Sequence, residues 1–167
     1  ANCQHNTERC NSWFPSDNAQ IWPIACDDQL FFVHNSWTST SYIEKANLDG
    51  SDRHTLCEME NDVTIDSGAA YKSGYLVLMV DFLTSEEDSV KHSERLIAID
   101  TETGESTVIF ESISPEGQAI DAGAVSAFFD GVTKHGFIVK TIETGATPDI
   151  QFHKVYEIPF QYQLQSN

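Results

Sequence analysis

Basic residues are scarce in this sequence. Nine Lys and Arg stand against 26 Asp and Glu, which gives a formal net charge of −17 at pH 7. No compact cluster of Lys and Arg interrupts this acidity, so most of the surface would repel a polyanion. We therefore expect no nucleic acid partner, and the same argument disfavours anionic membranes.

Long apolar runs and catalytic motifs are lacking too. No segment reaches the roughly 18 apolar residues of a membrane-spanning helix, so we expect no membrane insertion by this segment. The sequence also has no Gly-x-Ser-x-Gly, no His-Glu-x-x-His and no phosphate-binding glycine loop. We accordingly predict no catalytic residue, no cofactor and no metal ligand.

Cysteine is absent after residue 57. The four cysteines are Cys3, Cys10, Cys26 and Cys57. An even count in one region predicts two disulfides, Cys3–Cys10 and Cys26–Cys57, and an oxidising compartment. Free buried thiols are the alternative. A zinc site of Cys3, His5 and Cys10 is disfavoured, because no pair of ligands has the usual close spacing.

Runs of β-prone residues separated by turns follow an irregular lead-in over residues 1–22. The hairpin Tyr42–Leu56 is the clearest, because its strands flank Asp49-Gly50, a pair favoured where both central residues of a turn need positive φ. The segment Leu96–Phe110 repeats this order, with an acidic turn that contains a glycine.

The strand pattern recurs along the chain. Corresponding strands start at Gln29, Tyr75 and Phe137, roughly 45 to 60 residues apart, as in four-stranded propeller blades with variable loops. The sequence predicts an all-β fold: an incomplete, β-propeller-like array of antiparallel meander blades, with a β-sandwich or barrel as the alternative. The predicted blades cover residues 23–60, 61–113 and 114–167.

A family resemblance rests on these turns and on the first cysteines. Leu48–Arg53 and Ile99–Gly104, each followed by a β-strand, resemble hairpins of secreted β-propellers. With Cys3, His5 and Cys10 ahead of the first blade, the chain is similar to bacterial lipoprotein-type propellers of unassigned function. The Tyr-Trp-Thr-Asp and Trp-Asp signatures of other propeller classes are missing. The resemblance implies an extracellular or cell-surface location.

Three loops are candidates for binding. Residues 36–41, 83–93 and 144–149 are expected to join the first and second strands of their blades and to emerge on one face. Trp37 lies in a Ser/Thr-rich loop, where an exposed ring could stack on a sugar or a partner, with partial burial as the alternative. The predicted partner-binding residues are Trp37, Thr38, Glu86, Glu87, Asp88 and His92.

Two groups of acidic residues are candidates for cation binding. Asp49 and Asp52 are better explained as turn residues, because the further ligands and closing Glu of a calcium loop do not follow them. Residues 86–88, with Asp81 nearby, could gather a cation, but a charge run in a loop is more often a solvated surface.

The sequence favours a binding or interaction module that presents loops to a protein or carbohydrate partner without chemistry. Apolar residues on the predicted first strands, such as Leu30, Leu76 and Ile138, favour this interpretation. A glycan-directed hydrolase or lyase with acids at a propeller channel is one alternative. A structural component of a surface assembly is another.

The last expectation is that this chain is part of a larger assembly of strands. The sequence begins at Ala1, so we expect a processed or truncated product. Three blades would leave open strand edges, and a strand begins near residues 160–164 without a following partner. We therefore expect the rest of a longer chain, or a second copy, to complete the array.

Overall fold

The computed structural model describes residues 20–36, 40–60, 63–86, 89–113, 125–144 and 151–160. These residues form an all-β structure, as the sequence predicts, and no α-helix occurs among them. None of their segments is a helix long and apolar enough to cross a membrane. The strands are β1 (Gln20–Cys26), β2 (Gln29–Asn35), β3 (Tyr42–Asn47), β4 (His54–Glu58), β5 (Val63–Lys72), β6 (Tyr75–Glu86), β7 (Ser89–Asp100), β8 (Ser106–Ile113), β9 (Val125–Val132), β10 (Gly136–Thr144) and β11 (Gln151–Pro159).

The strands form three antiparallel meander sheets. Their orders are β1-β2-β3-β4, β5-β6-β7-β8 and β11-β10-β9, so each strand pairs with its neighbour along the chain. Among the described strands, no sheet closes by pairing its last strand with its first. Four-stranded antiparallel meanders are the units from which propellers are built, and the sheets fit a propeller-like fold.

The chain divides into two compact units, Ala1–Asn61 and Asp62–Asn167. The first unit contains the β1–β4 sheet. The second contains the β5–β8 and β9–β11 sheets.

The first sheet starts earlier than the sequence predicts. β1 begins at Gln20 and pairs with β2, so the irregular lead-in does not extend to residue 22. Pro23 obscures this strand in the sequence, and proline is tolerated here because β1 is an edge strand. β2 is buried on both faces from Phe31 to Asn35.

The turn between β3 and β4 differs from the predicted Asp-Gly turn. Gly50 has a φ of 76°, but Asp49 is not among the residues with positive φ. Gly50 N donates to Asn47 O at 2.8 Å, and Asn47 N donates to Ser51 O at 2.9 Å. These bonds close a three-residue loop whose glycine forms a bulge, so only that glycine needs the left-handed conformation.

The turn between β7 and β8 uses the same closure with one more residue. Gly104, with a φ of 76°, donates its N–H to Asp100 O, and Asp100 N donates to Glu105 O. Asp100 Oδ1 also accepts from the backbone N–H groups of Glu102 and Thr103. The hairpin repeat predicted from the sequence is therefore present, with glycine fixing both turns.

The predicted loop over residues 83–93 is mostly strand. β6 extends to Glu86, β7 starts at Ser89, and the pairing continues to the last pair, Glu86 opposite Ser89. A cross-strand ladder satisfies the backbone groups of this segment, which is why its polar and acidic composition does not force a loop.

The two sheets of the second unit pack face to face. The core between them contains Val77, Met79, Leu96, Ala98, Ala127, Phe137 and Val139, each at most 2% exposed. Ala98 and Ala127 share this core with the ring of Phe137, so small and large side chains from both sheets fill it together. We call the faces that meet here the inner faces of the β5–β8 and β9–β11 sheets.

Candidate functional site

Most of the predicted partner-binding residues lie outside the described residues. This holds for Trp37, Thr38, Glu87 and Asp88. Glu86 is the last residue of β6, and His92 lies on β7 opposite Leu83. The role of these six residues in binding stays a prediction.

The loops that are expected to bind a partner connect different strands from those that the sequence predicts. Each of these loops joins the second and third strands of its sheet, whereas the sequence predicts that it joins the first and second. The connecting residues are 36–41, 87–88 and 145–150. The difference arises because each sheet has a strand before the one that contains Gln29, Tyr75 or Phe137. Whether the loops share one face stays a prediction.

The two described cysteines are free thiols. Cys26 ends β1 and Cys57 lies on β4, the two edge strands of the same sheet. Three strand spacings of about 4.8 Å separate such strands by roughly 14 Å, twice the reach of a disulfide. The predicted Cys26–Cys57 bridge is therefore not formed. Cys3 and Cys10 lie outside the described residues.

Burial weakens the acidity of both thiols. It raises the pKa of the Cys57 thiol to about 11, and burial followed by the negative charge of Asp27 raises that of Cys26 to about 11. A nucleophilic or metal-binding cysteine needs the thiolate. The described cysteines therefore suit a structural role.

Asp49 forms hydrogen bonds within the β3–β4 turn. Its Oδ1 accepts hydrogen bonds from the Ser51 hydroxyl at 2.5 Å and the Ser51 N–H at 2.9 Å, and these bonds lower its pKa. In the part of the chain that the structure describes, no three His, Cys, Asp or Glu side chains gather as a metal-binding group.

A group of ionisable side chains in the first unit centres on Glu44. Its Oε2 accepts hydrogen bonds from His34 Nε2 at 2.7 Å and from Arg53 Nε at 2.8 Å, and it also contacts Arg53 Nη2. Burial alone would raise the pKa of Glu44. The bonds from His34 and Arg53, with the charge of Arg53, outweigh it and hold that pKa below its usual value.

Aromatic rings enclose this group. The His34 ring stacks on Tyr42 with centroids 4.2 Å apart, and the Arg53 guanidinium lies 5.1 Å from the centre of the Phe32 ring. His34 is fully buried, so no substrate can reach it without opening the sheet. The group ties β2, β3 and the β3–β4 turn together, and we assign it a structural role.

Sequence reasoning missed this group because its members are spread over three elements. Phe32 lies opposite Glu44 in the β2–β3 register, and His34 lies opposite Tyr42. Glu44 and His34 are therefore diagonal neighbours on adjacent strands, and this contact cannot be recognised before the register is known.

An exposed surface with apolar side chains covers the side of the β9–β11 sheet opposite its inner face, and we call it the outer face. Phe128, Lys140 and Val155 form one row across it, because Lys140 pairs with both of the others. Phe128 is 41% exposed and Val155 is 63% exposed. The next rows contribute Ile138 and Ile142, which are partly buried.

The centre of the outer face carries no net charge. Lys140 Nζ lies 2.8 Å from Asp130 Oδ1, at the bulge of β9. The pair is about half exposed and therefore contributes little to stability. By contrast, both faces of β6 and β7 are buried over residues 76–80 and 96–99. The outer face thus offers apolar side chains and a neutralised ion pair to a partner.

Comparison with known proteins gives no family. No protein family model matches this sequence, and no curated protein matches it. Among solved structures, the chain is similar to the β-propeller domain of Nup133 from Vanderwaltozyma polyspora, with a TM-score of 0.37 and 8% sequence identity. The match covers 85% of this chain and 47% of that one, so this chain spans about half of that domain. Likeness at this level carries no argument about function.

Proposed function

We propose that this protein is a non-catalytic interaction module that binds a protein partner through the outer face of the β9–β11 sheet. The supporting observation is the row in which Phe128 and Val155 stand exposed on either side of Lys140. Large apolar side chains grouped on one face, rather than scattered singly, are typical of a surface that another protein covers.

The chemistry of the outer face favours a protein over a carbohydrate. Sugars are usually held by exposed aromatic rings and dense polar groups, whereas the aliphatic Val155, Ile138 and Ile142 surround a single ring here. Trp37, on which a sugar-binding role would rest, is outside the described residues.

The inner face of the same strands indicates which partner surface fits. That face packs against an antiparallel sheet, with Phe137 and Val139 between Val77 and Leu96. The outer face has the same strand spacing and also carries apolar side chains. The fitting partner is therefore another antiparallel sheet with an apolar face, such as a further propeller-type sheet.

The net charge of this protein also restricts which partner can bind. The formal net charge of −17 would repel an acidic protein and attract a basic one. We expect the partner to carry basic residues around its apolar surface, and the association rate to fall with rising salt.

Several expectations from the sequence remain predictions beside this proposal. They are the lipoprotein-type resemblance, the extracellular or cell-surface location, the hydrolase or lyase alternative and the structural role in a surface assembly. None of them is needed for the outer face to bind a protein.

Site-specific photocrosslinking tests the proposal. p-Benzoylphenylalanine placed at Val155 should form a specific adduct in an extract of the source organism, and Phe128→Asp should abolish that adduct. Val108 is the matched control position, because it is a valine with 50% exposure on β8. Equal adducts from positions 155 and 108, or an adduct insensitive to Phe128→Asp, would place binding elsewhere.

A further inference from the structure

Most edge strands of the described sheets carry features that keep a further strand from pairing with them. Each of the four register shifts among the described strand pairs places extra residues on an edge strand, and the strands concerned are β4, β5, β8 and β9. Bulges of this kind bend and twist an edge away from a further strand. The edge strand β1 has no bulge but contains Pro23, which lacks an N–H group to donate. These edges are therefore protected.

β11 is the edge strand that lacks both features. It pairs with β10 from Gln151 to Pro159 without a register shift, and its single proline is its last residue. The order β11-β10-β9 places no described strand on its other side, which we call the free edge of β11. The successive side chains of residues 153–157 are all exposed, so the strand is accessible from both faces. A long, regular and exposed edge is a template for pairing with another chain.

Two contacts show which backbone groups of β11 face β10. Phe160, the residue after the strand, donates its N–H to His135 O at 3.1 Å, in the register that continues from β10 and β11. The carbonyl oxygen of Ile158 also points towards β10, because it would overlap a Cβ added at Gly136. Successive residues of a strand direct their N–H and C=O groups to opposite sides, so every second residue before Ile158 faces β10 as well.

The backbone groups of the alternate residues face the free edge. Tyr156 and Lys154 direct their N–H and C=O groups to β10. The groups of His153, Val155 and Glu157 therefore point away from β10. Each of these residues offers one donor and one acceptor, in the spacing that an antiparallel strand requires.

The side chains along the edge indicate the residues of a matching strand. An antiparallel strand places successive residues opposite Glu157, Tyr156 and Val155, in that order along its own chain. Glu157 favours a basic residue, and its Oε1 accepts a hydrogen bond from Thr133 Oγ1 at 2.6 Å, which holds the carboxylate in place. Tyr156, whose ring lies 5.5 Å from that of Phe110, favours an apolar or aromatic residue. Val155 favours a β-branched residue.

The net charge restricts the source of this strand. Two copies of a chain with a formal net charge of −17 repel each other, which disfavours pairing of β11 with the same edge of a second copy. The same charge attracts a basic segment and speeds its association. An extended segment of a basic partner protein therefore fits the free edge better than a second copy does.

We propose that the free edge of β11 binds an extended, basic segment of a partner protein by strand addition. The segment becomes a fourth antiparallel strand of the β9–β11 sheet, which then has as many strands as each of the other two sheets. Main-chain hydrogen bonds provide the affinity in this mode of recognition, and alternating side chains provide the specificity. The predicted segment has a basic residue, an apolar or aromatic residue and a β-branched residue in succession.

This inference goes beyond the proposed function, because the outer face offers side chains and the free edge offers backbone groups. The two proposals can therefore fail separately. Phe128→Asp should disrupt the outer face and leave strand addition unchanged, because Phe128 lies on β9, at the opposite edge of the sheet. A proline at an edge-facing position of β11 should prevent strand addition and leave the row of Phe128, Lys140 and Val155 in place.

Selection from a displayed library of random peptides as long as β11, nine residues, tests the proposal without the natural partner. We expect the wild type to enrich peptides that carry the predicted succession of residues. A synthetic enriched peptide should bind His153→Pro at least about tenfold more weakly than the wild type, because proline removes an edge N–H group and its ring obstructs the added strand. His153→Ala is the matched control, because it keeps the N–H group, and should bind as the wild type does.

Amide hydrogen exchange of the wild type, measured by NMR, separates strand addition from any loss of folding in the proline variant. In the protein alone, the amides of Val155 and Glu157 should exchange faster than those of Lys154 and Tyr156, which bond to β10. The bound peptide should slow exchange at Val155 and Glu157 at least about tenfold.

Three outcomes would overturn the proposal. The first is that no peptide is enriched, or that the bound peptide leaves the exchange rates of Val155 and Glu157 unchanged. The second is peptide binding that Phe128→Asp abolishes and His153→Pro does not, which would assign the peptide to the outer face. The third is slow exchange at Val155 and Glu157 that increases with protein concentration in the absence of peptide, because a second copy would then cover the free edge.

Discussion

At the scale of single residues, the Glu44 carboxylate links side chains from β2 and from the β3–β4 turn to β3. It joins a buried imidazole and a guanidinium, and both partners also contact aromatic rings. No sequence motif marks these residues, because their spacing is set by the register of β2 and β3. The strands themselves were predictable, but the contacts between their side chains were not.

Glu44→Gln tests the strength of this group. The substitution removes the charge but keeps the shape, and we expect it to cost roughly 1–3 kcal/mol in the free energy of unfolding at pH 7. Urea denaturation measures this cost. The matched control is Glu111→Gln, which breaks the exposed pair with Arg95 and should cost less than about 1 kcal/mol. Equal costs would contradict the role assigned to Glu44.

The same group predicts how stability changes with pH. Because the pKa of Glu44 is lowered on folding from its ordinary 4.5, the ionised carboxylate stabilises the protein above that pH. The contribution is lost as the pH falls through the folded pKa. The difference in unfolding free energy between the wild type and Glu44→Gln should therefore shrink as the pH is lowered below 4.5, and a growing difference would contradict it.

The two described thiols give another residue-scale prediction. With pKa values raised to about 11 by burial, Cys26 and Cys57 should react with alkylating reagents far more slowly at pH 7 than in denaturant. Mass spectrometry of protein labelled before and after unfolding measures each site. Recovery of a Cys26–Cys57 bridged peptide from native protein would contradict the sheet order.

At the scale of elements, the sequence predicts strands better than it predicts their ends. Continuous apolar runs and glycine turns identified β2, β10 and the two repeated hairpins. The first strand was hidden by Pro23, and the polar ends of β6 and β7 looked like a loop. Both errors have one cause: backbone pairing stabilises a strand end or edge that side-chain composition does not favour.

The start of β10 offers an element-scale test. A Cβ added at Gly136 would overlap the backbone carbonyl of Ile158 on β11, which cannot move without separating the strands. We expect Gly136→Ala to cost about 1–3 kcal/mol or more in unfolding free energy, measured by urea denaturation. Gly74→Ala is the comparison: it has a φ of 84° and open space around the added Cβ, so only backbone strain opposes it. A smaller loss at Gly136 than at Gly74 would contradict the close β10–β11 approach.

At the scale of the whole molecule, strand spacing predicts an all-β chain of meander sheets, and the structure has three of them. Which faces are covered could not be read from the sequence. β10 carries apolar residues on both faces; its inner face packs against the β5–β8 sheet, whereas the outer face of the β9–β11 sheet keeps Val155 and Phe128 exposed. The proposed function follows from that asymmetry, which depends on the arrangement of sheets rather than on any motif.

The affinity of the photocrosslinked partner for paired variants tests this proposal most directly. Val155→Asp places a charge on the outer face beside Lys140, and Val108→Asp makes the same change at a similarly exposed valine on β8. Titration calorimetry should show binding weakened at least tenfold, about 1.4 kcal/mol, by Val155→Asp and unchanged by Val108→Asp. Equal binding by both variants and the wild type would contradict the assignment of the outer face as the binding surface.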